Sequence, residues 1–183
     1  MPGVAVEPIA PPAVPAAPAP APTRAERLDG LFGELRRESD AAKAEAIAAR
    51  IQREWQDSGS ATLDLLMGRA AQAAARKNEA AALDLLDQTI ALDPGYAEGW
   101  NRRATLHFAE NRYALSLADV AETLKREPRH FGALAGMGAM LEEMGRRREA
   151  LAAFERVLAV YPAMKPAQDA AARLADALAG DRA

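Results

Sequence analysis

Cysteine is absent from the 183 residues, which rules out disulfides and thiolate metal sites but does not decide the compartment. Aromatic residues are scarce too, at 5% against 50% hydrophobic residues in all. A core must therefore be built largely from alanine and leucine, which suits closely packed helices and disfavours a sheet. Basic residues are not in excess: 23 Lys and Arg stand against 26 Asp and Glu, for a net charge of −3 and a pI near 5.5. That balance argues against binding a nucleic-acid backbone, which needs a clustered basic surface. No apolar run is long enough to cross a bilayer, so membrane insertion is not expected. The N-terminus also lacks a charged leader followed by an apolar segment, the mark of a secretory signal. His107 and His130 are the only histidines, and without a fixed carboxylate partner they do not make a metal site. A core role for His107 and a junction role for His130 are the expectation. No nucleophile–base set and no catalytic carboxylate pair stands out, so neither enzymatic activity nor a cofactor is expected.

What is present is a period. Pro94, Pro128 and Pro162 are each 34 residues from the next, and the blocks 63–96, 97–130 and 131–164 repeat with them. Small residues fall in register at position 8 (Ala70, Ala104, Gly138) and position 20 (Ala82, Ser116, Ala150). Large ones align at position 4 (Leu66, Trp100, Leu134), at position 24 (Leu86, Val120, Phe154) and at position 28 (Ile90, Leu124, Leu158). Positions 4, 8 and 11 share one helical face, and positions 20, 24 and 27 share the face of a second helix. The small residues mark where the two helices cross closely. Asn111, Gly145 and, one residue later in its block, Asn78 break the chain between the paired helices. The proline then closes the second helix, because it cannot continue the hydrogen-bond ladder. Each block reads as helix–turn–helix with an apolar face that only a neighbour can cover.

This pattern resembles the tetratricopeptide repeat. Trp100, Ala104, Tyr113, Leu124 and Pro128 carry the resemblance in the middle block, and Gly138, Gly145, Ala150, Phe154, Leu158 and Pro162 carry it in the third. Block 63–96 matches less fully, with Ala73 where a larger residue is usual and Glu79 where an aromatic is common. The resemblance spans about 100 of the 183 residues. It implies an all-α, right-handed α-solenoid of three helix–turn–helix repeats, to which we add a helical cap at each end.

Outside the repeats, residues 1–23 form a Pro/Ala-rich segment; residues 1–22 hold eight of the twelve prolines, and an extended, solvated spacer is expected. Residues 24–62 read as two helices, the first with a stripe of Leu28, Leu31, Phe32 and Leu35. Ser39 or Asp40 caps the second, where Ile47, Ile51 and Trp55 lie four apart. This pair lacks the repeat's small residues and is expected to be a degenerate N-terminal cap. Residues 165–183 give a C-terminal capping helix over 166–179, with Ala167, Ala170, Leu174, Ala177 and Leu178 inward, and a short tail.

Several segments resemble a group of short bacterial tetratricopeptide proteins, many of which carry a signal peptide and act at the cell envelope. They are Leu28-x-x-Leu31-Phe32-x-Glu34-Leu35, the Trp55-x-x-Ser58-Gly59 turn, Ala97-Glu98-Gly99-Trp100-Asn101 and the run Glu127 to Leu134. The resemblance implies a periplasmic location, while the missing leader, read literally, implies a cytoplasmic one.

In the resembled family, positions 2, 5, 9 and 12 of the first helix line a concave groove. Here they are Asp64, Met67, Ala71 and Ala74, then Glu98, Asn101, Thr105 and Phe108, then Gly132, Ala135, Ala139 and Glu142. The middle repeat carries the functional groups, with Phe108 and Met67 for apolar contact and Asn101 for a peptide backbone. Arg102, at position 6 where the neighbouring repeats have Gly68 and Gly136, is either a carboxylate clamp or a surface arginine paired with Glu98. The family's own carboxylate clamp is not expected, because its basic and amide positions hold Met67, Ala71, Gly132 and Gly136. Gly136-Met137-Gly138 follows no strand and is no nucleotide loop. Arg146-Arg147-Arg148 reads as a solvated turn. The function expected is a non-catalytic protein–protein interaction module, an adaptor or assembly factor that takes a partner peptide or helix in the groove. The alternative is a structural module whose groove is filled by its own tail or by a second copy.

Overall fold

The computed structural model describes residues 22–180, so the Pro/Ala segment expected over 1–23 and the tail end at 181–183 lie almost entirely outside the described residues. Within that range the chain forms nine helices and no strand: α1 (Arg24–Arg37), α2 (Ala41–Gln56), α3 (Ala61–Ala75), α4 (Glu79–Leu92), α5 (Ala97–Ala109), α6 (Tyr113–Arg126), α7 (Phe131–Glu143), α8 (Arg147–Val160) and α9 (Lys165–Gly180). Polar side chains set several of the starts. Thr23 and Glu26 form a capping box on α1, and Asp40, Ser60 and Asn78 cap α2, α3 and α4. The helices pair as α3/α4, α5/α6 and α7/α8, the three blocks of the period.

Each pair turns through the same motif. Position 15 adopts the left-handed backbone in all three repeats: Lys77 (φ 58°), Asn111 (φ 56°) and Gly145 (φ 74°). Around it the amides of Asn78, Arg112 and Arg146 reach back five residues, to the carbonyls of Ala73, His107 and Leu141, at 2.8–2.9 Å. These are Schellman closures, which use up otherwise orphaned carbonyls. The left-handed residue in the first repeat is therefore Lys77, while Asn78, which the spacing put in that role, caps the next helix instead. A lysine there strains the backbone, whereas glycine adopts that region freely. Lys77→Gly is expected to raise unfolding free energy by about 0.5–1 kcal/mol in urea denaturation. A loss of stability would show that the lysine side chain outweighs its backbone strain.

The small residues sit where the paired helices cross. Ala70, Ala82, Ala104 and Ala150 are buried, and the buried Ser116 hydroxyl donates to the Ala104 carbonyl at 2.7 Å. Sizes at positions 8 and 24 compensate: Ala70 goes with Leu86, Ala104 with Val120, and Gly138 with Phe154. A methyl group on Gly138 would lie 2.9 Å from the Phe154 ring. Gly138→Ala is therefore expected to cost about 1–3 kcal/mol through overpacking. Phe154→Leu, which restores the pairing used in the first repeat, should recover part of that loss in a double-mutant cycle. Strict additivity of the two changes would refute the compensation.

The two end elements differ in kind. α9 docks as the first helix of an unfinished repeat, burying Ala167, Ala170 and Leu174. Its Gln168 donates to the Pro162 carbonyl at 2.8 Å, as Trp100 does to Pro94 at 3.0 Å. The α1/α2 pair is helical as expected, but it does not cap the first repeat. It folds back along the edge formed by the inter-repeat turns, against α5, α7 and α8. Trp55 stacks on His130 with centroids 4.1 Å apart and also meets Phe131 at 5.0 Å. Arg129 lies over Phe32 at 4.2 Å and pairs with Asp29 at 2.6 Å. The physical reason is visible in α3. Positions 3, 7 and 10 face the preceding repeat; the methyl a side chain would add at Gly99 lies 3.3 Å from Thr89 of α4. In the first repeat these positions are Leu65, Arg69 and Gln72, all exposed. With two of the three polar, that end has little apolar surface to cover, so the first repeat terminates the array by itself.

Candidate binding groove

The three first helices, α3, α5 and α7, form the concave side, and the gaps between them are unequal. Between α5 and α7 the space is about 40 Å³, filled by Phe108, Ala133 and Met140. Between α3 and α5 an open slot of about 510 Å³ remains. One wall is Met67, Gly68, Ala71 and Ala74; the other is Arg102, Thr105, Leu106 and Ala109. Leu86 of α4 lies at the floor, and Gln56 and Tyr96 stand at one end, where the Tyr96 hydroxyl donates to the Gln56 carbonyl at 2.9 Å. Burial, with Glu98 and Asp64 nearby, pushes the Tyr96 phenol well above its ordinary range, so it stays a donor. The slot exists because α3 presents Ala71 and Ala74 at the positions where α5, in the next gap, presents Thr105 and Phe108.

The expected groove residues divide between this slot and the framework. Met67, Thr105 and Arg102 line the slot, and Asp64 lies at its margin with its carboxylate taken by the Ser58 hydroxyl at 2.6 Å. Glu98 is not a groove contact. It is buried, and its oxygens accept from His130 Nε2 (3.2 Å), Asn101 Nδ2 (3.0 Å) and Arg102 Nε (2.7 Å). Burial pushes its carboxyl up, but the His130 and Arg102 contacts outweigh that and hold it below the usual carboxylate range. His130 Nδ1 meanwhile accepts from the Ala133 amide at 3.1 Å and caps α7, so the proton on the neutral ring belongs on Nε2. Asn101 thus spends its amide donor on Glu98 rather than offering it to a peptide. Phe108 packs on Tyr113 with centroids 5.9 Å apart, on the α5/α7 side and outside the slot. Glu142 is tied to Arg173 of α9 at 2.8 Å. Arg102 pairs with Glu98 through Nε, and its terminal nitrogens have no hydrogen-bond partner among the described residues.

The opposite, convex side carries a second cavity of about 450 Å³, lined by Asp87, Trp100, Arg103, His107, Leu115 and Asp119 among others. Arg103 organises it. Its guanidinium grips the buried Asp119 carboxylate at 2.7 and 2.8 Å, reaches Asp87 at 2.6 Å and lies 5.0 Å from the Trp100 ring centroid. The Trp100 ring also meets Arg126 at 4.8 Å. His107 is buried as expected, and burial pushes its imidazole down against the pull of Asp119. Among the described residues no three metal-ligating side chains converge, and no helix is long and apolar enough to cross a membrane.

No family model matches the chain. A tetratricopeptide repeat-containing protein of Rhizobium etli, however, is 52% identical over 157 residues, covering 86% of this chain and 77% of its own length. The chain belongs to the tetratricopeptide repeat family. Solved structures agree on the fold. The first such domain of Spaghetti (RPAP3), determined with the HSP90 peptide SRMEEVD, matches with a TM-score of 0.61 at 20% identity, over 64% of this chain and 94% of that one. The domain of Sgt2 from Aspergillus fumigatus gives 0.61 at 18% identity, over 68% and 84%. MamA gives 0.55 at 15% identity over 85% and 87%, a likeness that reaches beyond the three repeats.

For this tetratricopeptide repeat protein, stripe counting found one wall of the slot and missed much of the other. Leu106 and Ala109 lie at positions 10 and 13, off the expected stripe, and Tyr96 and Gln56 belong to the connections. The run Gly68, Ala71, Ala74 was the available signal, since three small residues on one face leave room that a neighbour must fill.

Proposed function

We propose that this protein is a non-catalytic adaptor or assembly factor that holds a partner peptide or helix in its concave groove, with the α3/α5 slot as the seat. The slot itself carries the reading: about 510 Å³ of largely apolar, open space stands where the next pair of helices leaves about 40 Å³. An apolar side chain entering it would be enclosed by small residues, with Arg102 at the rim to orient a polar group. Family membership supports the class of function, as these repeats serve broadly as protein-binding surfaces. We also place the protein at the envelope, in the periplasm, on its likeness to exported short bacterial relatives.

The test is affinity capture from the native cell's extract with the wild type beside Ala71→Leu/Ala74→Leu, which fills the slot, after matching helical content by circular dichroism. A partner held by the wild type and lost by the filled variant supports the reading. Equal recovery by both baits overturns the slot as the seat. Cell fractionation against periplasmic and cytoplasmic markers checks the compartment, and recovery with the cytoplasmic marker would refute it.

A further inference from the structure

The α3/α5 slot is polar at one end and apolar along the rest. Gln56, Asp64, Tyr96 and Arg102 gather where α3 and α5 begin, and the Asp64 and Arg102 charges both act on the Tyr96 phenol. From there the slot runs to Ala74 and Ala109, at the far ends of the two helices. Among its lining residues from Met67 to Ala74 and from Thr105 to Ala109, the one polar side chain is Thr105, whose hydroxyl donates to the Asn101 carbonyl at 2.9 Å. A methyl group on Gly68 would meet nothing within 4 Å, so the α3 wall borders open space.

Such a lining discriminates between backbone states of whatever enters. An extended segment brings amides and carbonyls that need partners. The Asn101 amide is spent on Glu98 and the Tyr96 hydroxyl on the Gln56 carbonyl, while the backbone groups inside α3 and α5 are bonded within their own helices. Extended chain pressed into the apolar length would therefore bury unpaired backbone groups, each as costly as a lost hydrogen bond. A helix satisfies its own backbone, and the small side chains of Gly68, Ala71 and Ala74 let it approach closely. α3 is roughly 22 Å long, which gives room for about four turns. Charge then sets the direction. Both helices begin at the Arg102 end, so a helix laid antiparallel to them brings its negative C-terminal end to their positive N-terminal ends. Arg102 pairs with Glu98 through Nε at 2.7 Å, and its terminal nitrogens, without a partner among the described residues, remain for an incoming carboxylate.

We propose that the occupant of the slot is an amphipathic α-helix of a partner protein, antiparallel to α3 and α5. Its apolar side chains at i, i+3 or i+4, and i+7 fill the slot, and an acidic residue in its C-terminal half pairs with Arg102. This rests on the slot being a partner's seat, and adds the partner's backbone state, direction and charge.

The probe is a displayed library of random peptides about as long as α3, selected on the full chain and counter-selected on Ala71→Leu/Ala74→Leu. If that variant loses helical content, Thr105→Trp fills the slot in its place. The expected result is enrichment of apolar residues at helical spacing followed by Glu or Asp, in peptides that gain helix on binding by circular dichroism. An acid there opposes the peptide's own helix dipole, so helix preference alone does not enrich it. Replacing it with the amide in the tightest binder is expected to weaken binding to the wild type about tenfold and to Arg102→Gln very little. Arg102→Met takes over if Arg102→Gln does not fold. Equal weakening on both chains overturns the pairing and the direction read from it. Enriched peptides that need the open slot but carry proline or alternate with period two overturn the helix, and leave the slot as the seat. Failure to enrich any slot-dependent peptide overturns this inference and the proposed seat together. A concentration-dependent mass of the full chain that slot filling abolishes gives the slot to a second copy, and overturns the inference as well.

Discussion

Arg103→Met is expected to lower unfolding free energy by about 3–5 kcal/mol, because it leaves Asp119 ionised, buried and unpaired. Asp119 is 4% exposed, and both its oxygens are held by the Arg103 guanidinium at 2.7 and 2.8 Å. His107 does not substitute: its Nε2 is 3.9 Å away, and burial pushes its imidazole down, so the neutral ring persists. The loss should exceed that of a surface ion pair, typically under about 1 kcal/mol, since Arg103 also ties α5 to α4 through Asp87 and faces the Trp100 ring. Arg103→Met/Asp119→Leu is expected to recover most of the loss, as an apolar pair of similar volume leaves no buried charge. Urea denaturation of the two variants decides it. A single-variant loss below about 1 kcal/mol would mean that Asp119 finds water.

That network illustrates what a period conveys and what it leaves out. The repeat register placed the helix pairs and their crossing residues, because those follow from residue size and backbone freedom within one block. Gly138 opposite Phe154 and Gly145 at a left-handed turn could be read directly. Lys77 could not, since its conformation is imposed by the Schellman closure around it rather than chosen by the side chain. Ion pairs between elements were hidden for a similar reason. Glu98 and Glu142 look alike as acidic residues on a helical face, yet one is buried against His130 and the other meets Arg173 of α9. The slot depends on how far apart α3 and α5 settle, a quantity that small residues permit but do not state. Least legible was the placement of α1 and α2. Their stripes predict burial, and burial occurs, but amphipathicity names no partner face.

Trp55→Ala is the variant that tests this placement, with an expected cost of about 3–5 kcal/mol for removing a buried indole. Trp55 is 5% exposed and joins three surfaces at once: Phe32 of its own hairpin at 5.9 Å, the His130 ring at 4.1 Å and Phe131 at 5.0 Å. Its indole N–H has no hydrogen-bond partner among the described residues, though it lies near enough to Glu127 to help hold that carboxyl ionised, so its contribution is chiefly packing. The location of the damage matters more than its size. In a solenoid each repeat leans on its sequence neighbours, whereas this hairpin leans on helices that follow it by many residues. Hydrogen exchange should therefore show protection falling first across residues 24–56, while α5 to α9 keep theirs. Trp55→Phe, which retains a ring over His130, should lose markedly less. Uniform loss of protection through all nine helices would show instead that hairpin and repeats unfold as one cooperative unit. If the hairpin does release alone, the Gln56–Tyr96 contact goes with it, and the end of the α3/α5 slot opens as a direct consequence.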